Sequence, residues 1–312
     1  MMIGGFMKKY LLSLLIICLL LVGCGKKEEK WVQKGNTISK GDKSYKIGDY
    51  YDYDETNNGK ITNLADVKWR VFGVEDGKLL IMSTSNVNNV TLGHIDDLDK
   101  AEKDYFEGKN IVNRIASQYG KGKNAVGARS ITIEDMDKIM GFDKNTYAPG
   151  PISKYGNVIS YYWVGTDNPM FKYGNEKEGE LRNAHKMFIA LNVEENKFER
   201  IEQPKGSEDK PVLIANIKND FYAYSNSTFD KDDNESQKYS SDSSEYKMLF
   251  LDEEGNESNY YLASNFSKVS NAMVGYGYWM VKGSNINFGY LLYSMGHSRE
   301  LISGVRVIVT IK

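Results

Sequence analysis

The C-terminal end of the chain, residues 260–312, most constrains what this sequence can fold into. Its short apolar runs are rich in aromatic and β-branched residues, and each run ends at glycine, serine or asparagine. This pattern is typical of consecutive β-strands joined by turns. The last run, residues 305–311, is expected to be an interior strand of one sheet. Arg306 interrupts its apolar character, so we expect its side chain either to point outward or to form an internal ion pair.

The N-terminal residues predict export from the cytoplasm. Lys8 and Lys9 precede an apolar stretch at residues 10–22, and small residues then lead to Cys24. A basic start, an apolar core and a small-residue cleavage site describe a secretory signal peptide. The apolar stretch is shorter than the roughly 20 residues that a membrane-spanning helix needs. We therefore expect residues 1–23 to be a signal peptide.

The four residues Leu21-Val22-Gly23-Cys24 resemble the lipobox of bacterial lipoproteins. The resemblance implies that cleavage leaves Cys24 as the new N-terminus and that its nucleophilic sulfur carries a diacylglycerol with its fatty-acyl chains, such as palmitate. It also implies a protein held by lipid at the extracytoplasmic face of the cell membrane. The alternative is a secreted protein whose cysteine is coincidental or buried.

Cysteine usage and composition bound the organisation of the exported part. Cys18 and Cys24 are the only cysteines, so the processed chain would have no internal disulfide and would rely on its hydrophobic core. Residues 24–44 are polar and are predicted to be a flexible tether. Residues 45–312 are long enough to bury a sizeable core and are predicted to form a single domain.

Local patterns predict an α+β domain with a mostly antiparallel sheet and at least two helices. Asp76-Gly77 between two apolar runs indicates a β-hairpin, because both residues tolerate positive φ. Apolar spacing near 3.6 residues predicts a helix over residues 97–120, and Thr132 with Asp135 predicts the capped start of a second helix. Residues 188–201 are expected to form a hairpin, and residues 225–245 a long exposed loop.

No residue pattern indicates a metal, a cofactor or a nucleic acid. The three histidines, His94, His185 and His297, are far apart, and no zinc-ligand spacing occurs. The carboxylates of residues 52–58 do not match the calcium-loop template, so an Asx-rich surface turn is the preferred interpretation. The net charge of −2, or −4 without Lys8 and Lys9, gives no reason to expect nucleic acid.

Aromatic residues give the one indication of a binding site. The chain has 22 Tyr, 12 Phe and 4 Trp, and two clusters stand out, one at Tyr276, Tyr278 and Trp279 and another that includes Trp163. Exposed aromatic rings beside amide groups suit stacking on sugar rings or peptide grooves. We therefore name these four residues as candidate ligand-binding residues. The alternative is that their rings fill a core between a sheet and a helix.

Several segments together resemble a family of Gram-positive bacterial surface lipoproteins whose function is not established. They are Ile47-Gly48-Asp49-Tyr50, Trp69-Arg70-Val71-Phe72-Gly73-Val74, residues 128–135, Tyr260-Tyr261-Leu262-Ala263-Ser264 and Gly304-Val305-Arg306-Val307. The family usually has proline where this chain has Val307, a change that favours continued strand pairing.

The last fifty residues also resemble the terminal part of C-type-lectin-like and formylglycine-generating-enzyme-like folds. The resemblance implies a curled sheet that brings both termini together. It does not carry over the known chemistries, because the paired cysteines of the enzyme are absent and Gln203-Pro204 is followed by Lys205 instead of completing the lectin calcium motif.

These observations favour a non-enzymatic binding or interaction module at the cell surface, with a glycan, peptidoglycan or a protein as its ligand. One alternative is a hydrolase acting on cell-wall material, with Glu134 or Asp135 as acid and base, although helix capping explains these residues better. A second alternative is a purely structural envelope protein.

Overall fold

A computed structural model describes most of the chain. The described residues are 29–140, 152–155, 158–162, 170–173, 177–180, 188–192, 195, 197–201, 212–217, 221–224, 242–270, 273–293 and 296–312. The α-helices are α1 (Leu98–Ser117), α2 (Ile133–Met140) and α3 (Ser244–Phe250), and a 3-10 turn, Gln118–Lys121, follows α1.

The strands, in chain order, are β1 (Val32–Lys34), β2 (Thr37–Lys40), β3 (Lys43–Lys46), β4 (Tyr50–Tyr51), β5 (Trp69–Glu75), β6 (Lys78–Ser83), β7 (Asn88–Gly93), β8 (Ala125–Ser130), β9 (Ile152–Tyr155), β10 (Val158–Tyr162), β11 (Met170–Tyr173), β12 (Lys177–Glu180), β13 (Phe188–Asn192), β14 (Lys197–Ile201), β15 (Val212–Ile217), β16 (Phe221–Tyr224), β17 (Asn259–Ser270), β18 (Met273–Lys282), β19 (Asn285–Tyr293), β20 (His297–Ser298), β21 (Glu300–Val305) and β22 (Val307–Ile311). The predicted α+β class with mostly antiparallel pairing is confirmed.

The first three strands form a small antiparallel sheet, which we call the N-terminal sheet. Trp31 and Ile38 are buried in the main core, at 4% and 0% exposure. The Trp31 indole donates a hydrogen bond to the carbonyl of Lys312 over 3.2 Å. The expectation of a flexible tether through residue 44 is therefore wrong for residues 31–44. The segment is mostly polar, so its composition predicted a tether, but its two buried apolar side chains anchor it to the core.

Five strands in the order β4-β5-β6-β22-β8 form what we call sheet I. The predicted hairpin is confirmed, because Glu75 pairs with Lys78 and both Asp76 and Gly77 have positive φ. The C-terminal strand β22 lies between β6 and β8, so it is interior, as the sequence predicts.

Six strands in the order β20-β19-β18-β17-β21-β7 form sheet II. Helix α1 packs on one face of this sheet, and the main hydrophobic core lies against the other. Asp97 caps α1 by accepting a hydrogen bond from the Lys100 amide over 2.9 Å, as expected of an N-cap residue. Gly108 within α1 is a point of close approach, because a Cβ there would lie 2.8 Å from the Tyr278 ring.

Helix α2 begins with the predicted capping box. The amide of Asp135 donates to the Thr132 hydroxyl over 3.3 Å, and the amide of Thr132 donates to the Asp135 carboxylate over 2.8 Å. The reciprocal pair satisfies two amides at the helix start. Helix α3 was not predicted. Its first two residues, Ser244 and Glu245, end the segment that we expected to be a long exposed loop, residues 225–245, and that expectation is wrong for Glu245, which is helical and buried. Residues 225–241 lie outside the described part.

The middle of the chain contributes the strand order β12-β11-β10-β15-β13-β14 and the pair β16-β9. The predicted hairpin of β13 and β14 is confirmed, with Phe188 opposite Ile201 and Asn192 opposite Lys197. Arg200 of this hairpin forms ion pairs with Asp99 and Glu102 of α1, which hold the hairpin against the helix.

The final run of the sequence is two strands that belong to different sheets. Val305 pairs with β7 and β17 in sheet II, whereas Val307 pairs with β8 in sheet I. Arg306 is the single residue between them and is fully buried. Its guanidinium donates to the carbonyls of Met248 (2.6 Å), Thr84 and Leu251 and to the Ser258 hydroxyl (3.0 Å).

Both expectations for Arg306 are therefore wrong, since its side chain neither points outward nor has an ion-pair partner among the described residues. Backbone carbonyls, in place of a carboxylate, accept from the two terminal nitrogens of the buried cation. Burial lowers the pKa of the Arg306 guanidinium from its ordinary value, while the charge of Asp252 acts in the opposite direction.

Candidate functional site

The aromatic cluster that the sequence nominated for ligand binding lies inside the protein. Tyr276, Tyr278 and Trp279 are 0%, 1% and 0% exposed. Tyr276 and Tyr278 pack with α1, and Trp279 packs on the opposite side of β18 in the main core. The expectation that these rings stack on a ligand is corrected: a central strand covered on both faces leaves no ring surface for one. Trp163, the fourth nominated residue, lies outside the described residues.

The hydroxyl groups of these buried tyrosines are used within the fold. The Tyr278 hydroxyl donates to the carbonyl of Tyr105 over 2.7 Å and accepts from the amide of Lys109 over 3.0 Å. The Tyr276 hydroxyl donates to the carbonyl of Ile189 over 3.4 Å. Burial raises the pKa of both phenols, because desolvation disfavours the phenolate.

A second set of aromatic side chains lies at the surface or directly beneath it. They line a cavity of about 620 Å³ at the edge of sheet I, which we call the tyrosine cleft. Its lining residues are Tyr50, Tyr51, Asp52, Tyr53, Val67, Lys68 and Trp69. Small-ligand sites in proteins typically occupy about 300–1,000 Å³ and combine apolar walls with a few polar groups. The cleft has both properties.

The floor of the cleft is rigid. Trp69 and Tyr53 are buried and contact each other edge to face, with ring centroids 5.2 Å apart. The Trp69 indole donates to the Glu55 carboxylate over 3.2 Å. The Tyr53 hydroxyl donates to the carbonyl of Tyr119 and accepts from the amide of Gly122 over 3.1 Å. These bonds fix both rings before any ligand arrives.

The rim of the cleft carries an exposed ring held by a cation. Tyr50 is 52% exposed, the largest exposure among the cleft's aromatic rings. The guanidinium carbon of Arg70 lies 4.1 Å from the centre of the Tyr50 ring. Arg70 also donates to the Tyr50 hydroxyl over 2.9 Å and to the carbonyl of Gly48 over 2.7 Å. A cation against one part of the ring limits its motion and leaves the remainder open to solvent.

Three further residues give the cleft its apolar wall and its polar groups. Tyr51 is half-buried, and its ring centre lies 5.5 Å from that of Tyr45 on the N-terminal sheet. Burial raises the pKa of the Tyr51 phenol, and the neighbouring Tyr45 and Asp52 add to the rise. Asp52 and Lys68 are exposed at the mouth, where Lys68 forms an ion pair with Glu253. The cleft thus presents both an acceptor and a donor beside its rings.

The sequence did not predict this cleft, because the carboxylates of residues 52–58 indicated a surface turn and not a binding site. The predicted Asx-rich turn is present: the Asp54 carboxylate accepts from the amide of Thr56 over 3.0 Å and from the amide of Asn58. The alternation of Tyr50, Tyr51 and Tyr53 with aspartates was the available signal. This sequence pattern could not show that the rings are exposed, because exposure depends on where the strand lies in the sheet.

The carboxylates of the hydrolase alternative serve the fold. Asp135 is buried at 2% exposure, accepts from both terminal nitrogens of Arg129 and completes the cap of α2. Burial alone would lower the pKa of Arg129, but its hydrogen bond with Asp135 and the nearby carboxylates raise it overall. Glu134 is exposed and lies 3.5 Å from the Ser264 hydroxyl.

A broader groove of about 830 Å³ runs along α1. Its charged side chains include several that already have structural partners. Asp97 caps the helix, Asp104 accepts from the amide of Gly93 over 2.7 Å, and Asp99 pairs with Arg200. Mixed charges already engaged in the fold make this groove a weaker candidate than the tyrosine cleft.

Within the described ranges, no group of three or more His, Cys, Asp or Glu side chains is placed to hold a metal ion. None of the described helices is both long enough and apolar enough to span a bilayer. Cys24 lies outside the described residues, so its lipidation stays a prediction from the sequence.

Comparison with family models, with curated proteins and with solved structures found no match to this chain. The lipoprotein resemblance and the lectin-like resemblance of the last fifty residues therefore stay predictions.

Proposed function

We propose that this chain is a lipid-anchored protein of the extracytoplasmic face of the cell membrane that binds a cell-surface glycan, such as the glycan strands of peptidoglycan, in the tyrosine cleft. The observation that carries the proposal is a pre-formed cleft with a rigid aromatic floor, an exposed ring at its rim and polar groups at its mouth.

The chemistry of the cleft favours a sugar ligand. The apolar faces of sugar rings stack on aromatic side chains, and sugar hydroxyls need both donors and acceptors nearby. Tyr50 and Tyr51 supply ring surface, and Asp52 and Lys68 supply an acceptor and a donor. Because hydrogen bonds fix Trp69 and Tyr53 in the floor, little side-chain entropy remains to be lost on binding.

The cleft favours binding over hydrolysis. Most glycoside hydrolases place two carboxyl groups about 5–9.5 Å apart across the scissile bond. Asp52 is the one carboxylate among the residues that line the described cleft. Glu55 lies behind the floor, is buried at 6% exposure and accepts the Trp69 hydrogen bond. These residues do not supply a separate acid and base.

The location part of the proposal rests on the N-terminal sequence. A basic start, an apolar stretch and small residues precede Cys24 in that order, and this sequence supports lipid attachment. The fold begins within about ten residues of that cysteine. One acyl chain binds membranes only marginally, so at least two chains are expected on Cys24.

Binding is tested by retention of the purified protein on peptidoglycan, with titration of soluble glycan fragments. Tyr50→Ala should weaken retention at least about fivefold, because the ring supplies stacking worth about 1 kcal/mol beyond its buried area. The matched control is Tyr293→Ala, which removes another ring beside a guanidinium, since Arg299 lies 5.1 Å from the Tyr293 ring. Equal retention by the wild type and the Tyr50 variant would refute the site, and no retention of any protein would favour a structural role.

Location is tested separately by membrane fractionation of the Cys24→Ser variant. Loss of the cysteine should move the protein from the membrane fraction to the soluble fraction without changing its thermal unfolding. The unmodified protein, fractionated in parallel, is the control. A variant that remains wholly in the membrane fraction would contradict lipid anchoring at Cys24.

A further inference from the structure

We infer that the outer face of the N-terminal sheet is a contact surface for an anionic lipid bilayer. The inference rests on the proposed lipid anchor and adds a second, electrostatic contact to it. The face is defined by strand register, because Val32 pairs with Ser39 and Ser39 with Ser44, while Lys34 pairs with Thr37 and Thr37 with Lys46. Residues paired across neighbouring strands share a face. We call these six residues the lysine face.

The lysine face is exposed and contains no carboxylate. All six of its residues are exposed, whereas Ile38 on the opposite face is fully buried in the core. Val32 is 49% exposed and places an apolar side chain among the hydroxyl and ammonium groups. Hydroxyls, cations and a single apolar side chain suit a headgroup region, which offers phosphates beside hydrocarbon.

The two lysines of this face have no ion-pair partner within the described part of the chain. Lys68, Lys100, Lys138 and Lys197 each lie within ion-pair distance of a carboxylate, but Lys34 and Lys46 do not. Lys30, Lys40 and Lys43 are equally without carboxylate partners in that part. Unpaired cations near a negatively charged membrane surface each favour association, by about 1 kcal/mol when they lie close to the surface.

The length of the chain limits how far this face can lie from the membrane. Val32 follows Cys24 by eight residues. An extended chain spans at most about 3.6 Å per residue, so Val32 lies within about 30 Å of the lipid-bearing cysteine. A short connection gives the face a high effective concentration at the bilayer surface.

Contact through the lysine face leaves the tyrosine cleft open. Tyr45 lies on the inner face of the N-terminal sheet, in register with Ile38, and its ring contacts Tyr51 of the cleft. The lysine face and the cleft therefore lie on different sides of this small sheet. The bilayer would orient the domain with its ligand site accessible.

The test uses the processed full chain carrying Cys24→Ser, so that no lipid contributes to binding, and measures co-sedimentation with vesicles. Vesicles of phosphatidylglycerol and phosphatidylcholine should retain the protein at low ionic strength, and pure phosphatidylcholine vesicles should not. Neutralising the face by Lys34→Gln with Lys46→Gln should weaken retention at least about tenfold, since each lysine contributes about fivefold. The matched control is Lys60→Gln with Lys282→Gln, two exposed lysines elsewhere.

Equal retention of the face variant and the control variant would overturn the inference, as would equal retention on neutral vesicles. If the protein bound a soluble anionic wall polymer and did not bind the vesicles, the face would be assigned to that polymer. This result would also overturn the inference. None of these outcomes affects the anchor, which is decided by fractionation of the Cys24→Ser variant in cells. Unchanged thermal unfolding of the face variant verifies that its fold is intact.

Discussion

Two tyrosine-rich segments of this protein have similar sequences and opposite surroundings. Tyr276-Gly277-Tyr278-Trp279 lies in β18, a central strand of sheet II, and its rings are almost completely buried. Tyr50-Tyr51-Asp52-Tyr53 begins in β4, the edge strand of sheet I, and its first ring is half exposed. Ring content alone therefore does not distinguish a core from a binding surface. The rings are buried or exposed according to whether other strands and helices cover the strand that carries them.

Two guanidinium groups that lie against tyrosine rings, one in the interior and one at the edge of sheet I, also differ. Arg306 is fully buried, 5.1 Å from the Tyr260 ring, and its charge is satisfied by backbone carbonyls. Arg70 is partly exposed, 4.1 Å from the Tyr50 ring. Arg306 lies where the chain passes from one sheet to the other, whereas Arg70 and Tyr50 lie at the rim of the tyrosine cleft. We call Arg306 with Tyr260 the interior pair and Arg70 with Tyr50 the edge pair. We expect the two regions to respond very differently to the same change.

The largest effect is expected from truncation after Ser303. It removes Arg306 and the interior strand β22, together with its buried valine and isoleucine side chains. Burial of each such side chain contributes about 1.5–3 kcal/mol to stability, and the total free energy of unfolding of a typical domain is about 5–15 kcal/mol. The truncated protein should be insoluble or lack a cooperative thermal transition in calorimetry. A transition at the wild-type temperature would show that β22 is peripheral.

Replacement of the two arginines by lysine comes next. Arg306→Lys should lower the free energy of unfolding by about 3 kcal/mol or more, because one ammonium group cannot reach all the carbonyls that the guanidinium satisfies. Arg70→Lys at the edge should cost less than about 1 kcal/mol. Urea denaturation of both variants measures the contrast, and equal losses would remove the distinction between the interior pair and the edge pair.

Alanine substitution of one aromatic residue in each segment compares how much a buried ring and a half-exposed ring contribute to stability. Trp279→Ala should lower the free energy of unfolding by about 3–5 kcal/mol through the cavity it leaves. Tyr50→Ala should change it by about 0.5 kcal/mol, because the side chain is half exposed at the surface. The measurement is again urea denaturation. A large loss for Tyr50→Ala would indicate that the tyrosine cleft is part of the core.

The smallest effect concerns alkaline pH. Burial raises the pKa of Tyr53 from 10.0 to about 12. Its contribution to stability is fully present below pH 10, where the phenol is protonated in both states, and is lost as the pH rises toward 12 because only the unfolded chain releases the proton. The loss has an upper limit of about 2–3 kcal/mol, which solvent screening reduces.

Equilibrium unfolding at pH 9, 10 and 11 checks this expectation, with Tyr53→Phe as the comparison. The variant cannot ionise at this position, so its stability should decline less steeply with pH than that of the wild type. Parallel declines would place the titrating group elsewhere.

Much of the local structure was predictable from sequence, and most of the site was not. Asp76-Gly77 and the pair Thr132 and Asp135 act within a few residues of themselves, so their turn and cap follow from local chemistry. Trp31 and Ile38 were overlooked, because two apolar residues in a polar segment do not indicate a core contact until their partners are known.

Periodicity, turn chemistry and a capping motif were enough to predict helices α1 and α2, the hairpin at Asp76-Gly77 and the cap of α2. Helix α3 was not predicted, and the anchor at Cys24 stays a prediction. Long-range packing, in contrast, buries Tyr278, leaves Tyr50 exposed and places Arg306 between two sheets. Burial depends on which distant strands and helices cover a side chain. Residues far apart in the chain supply that cover.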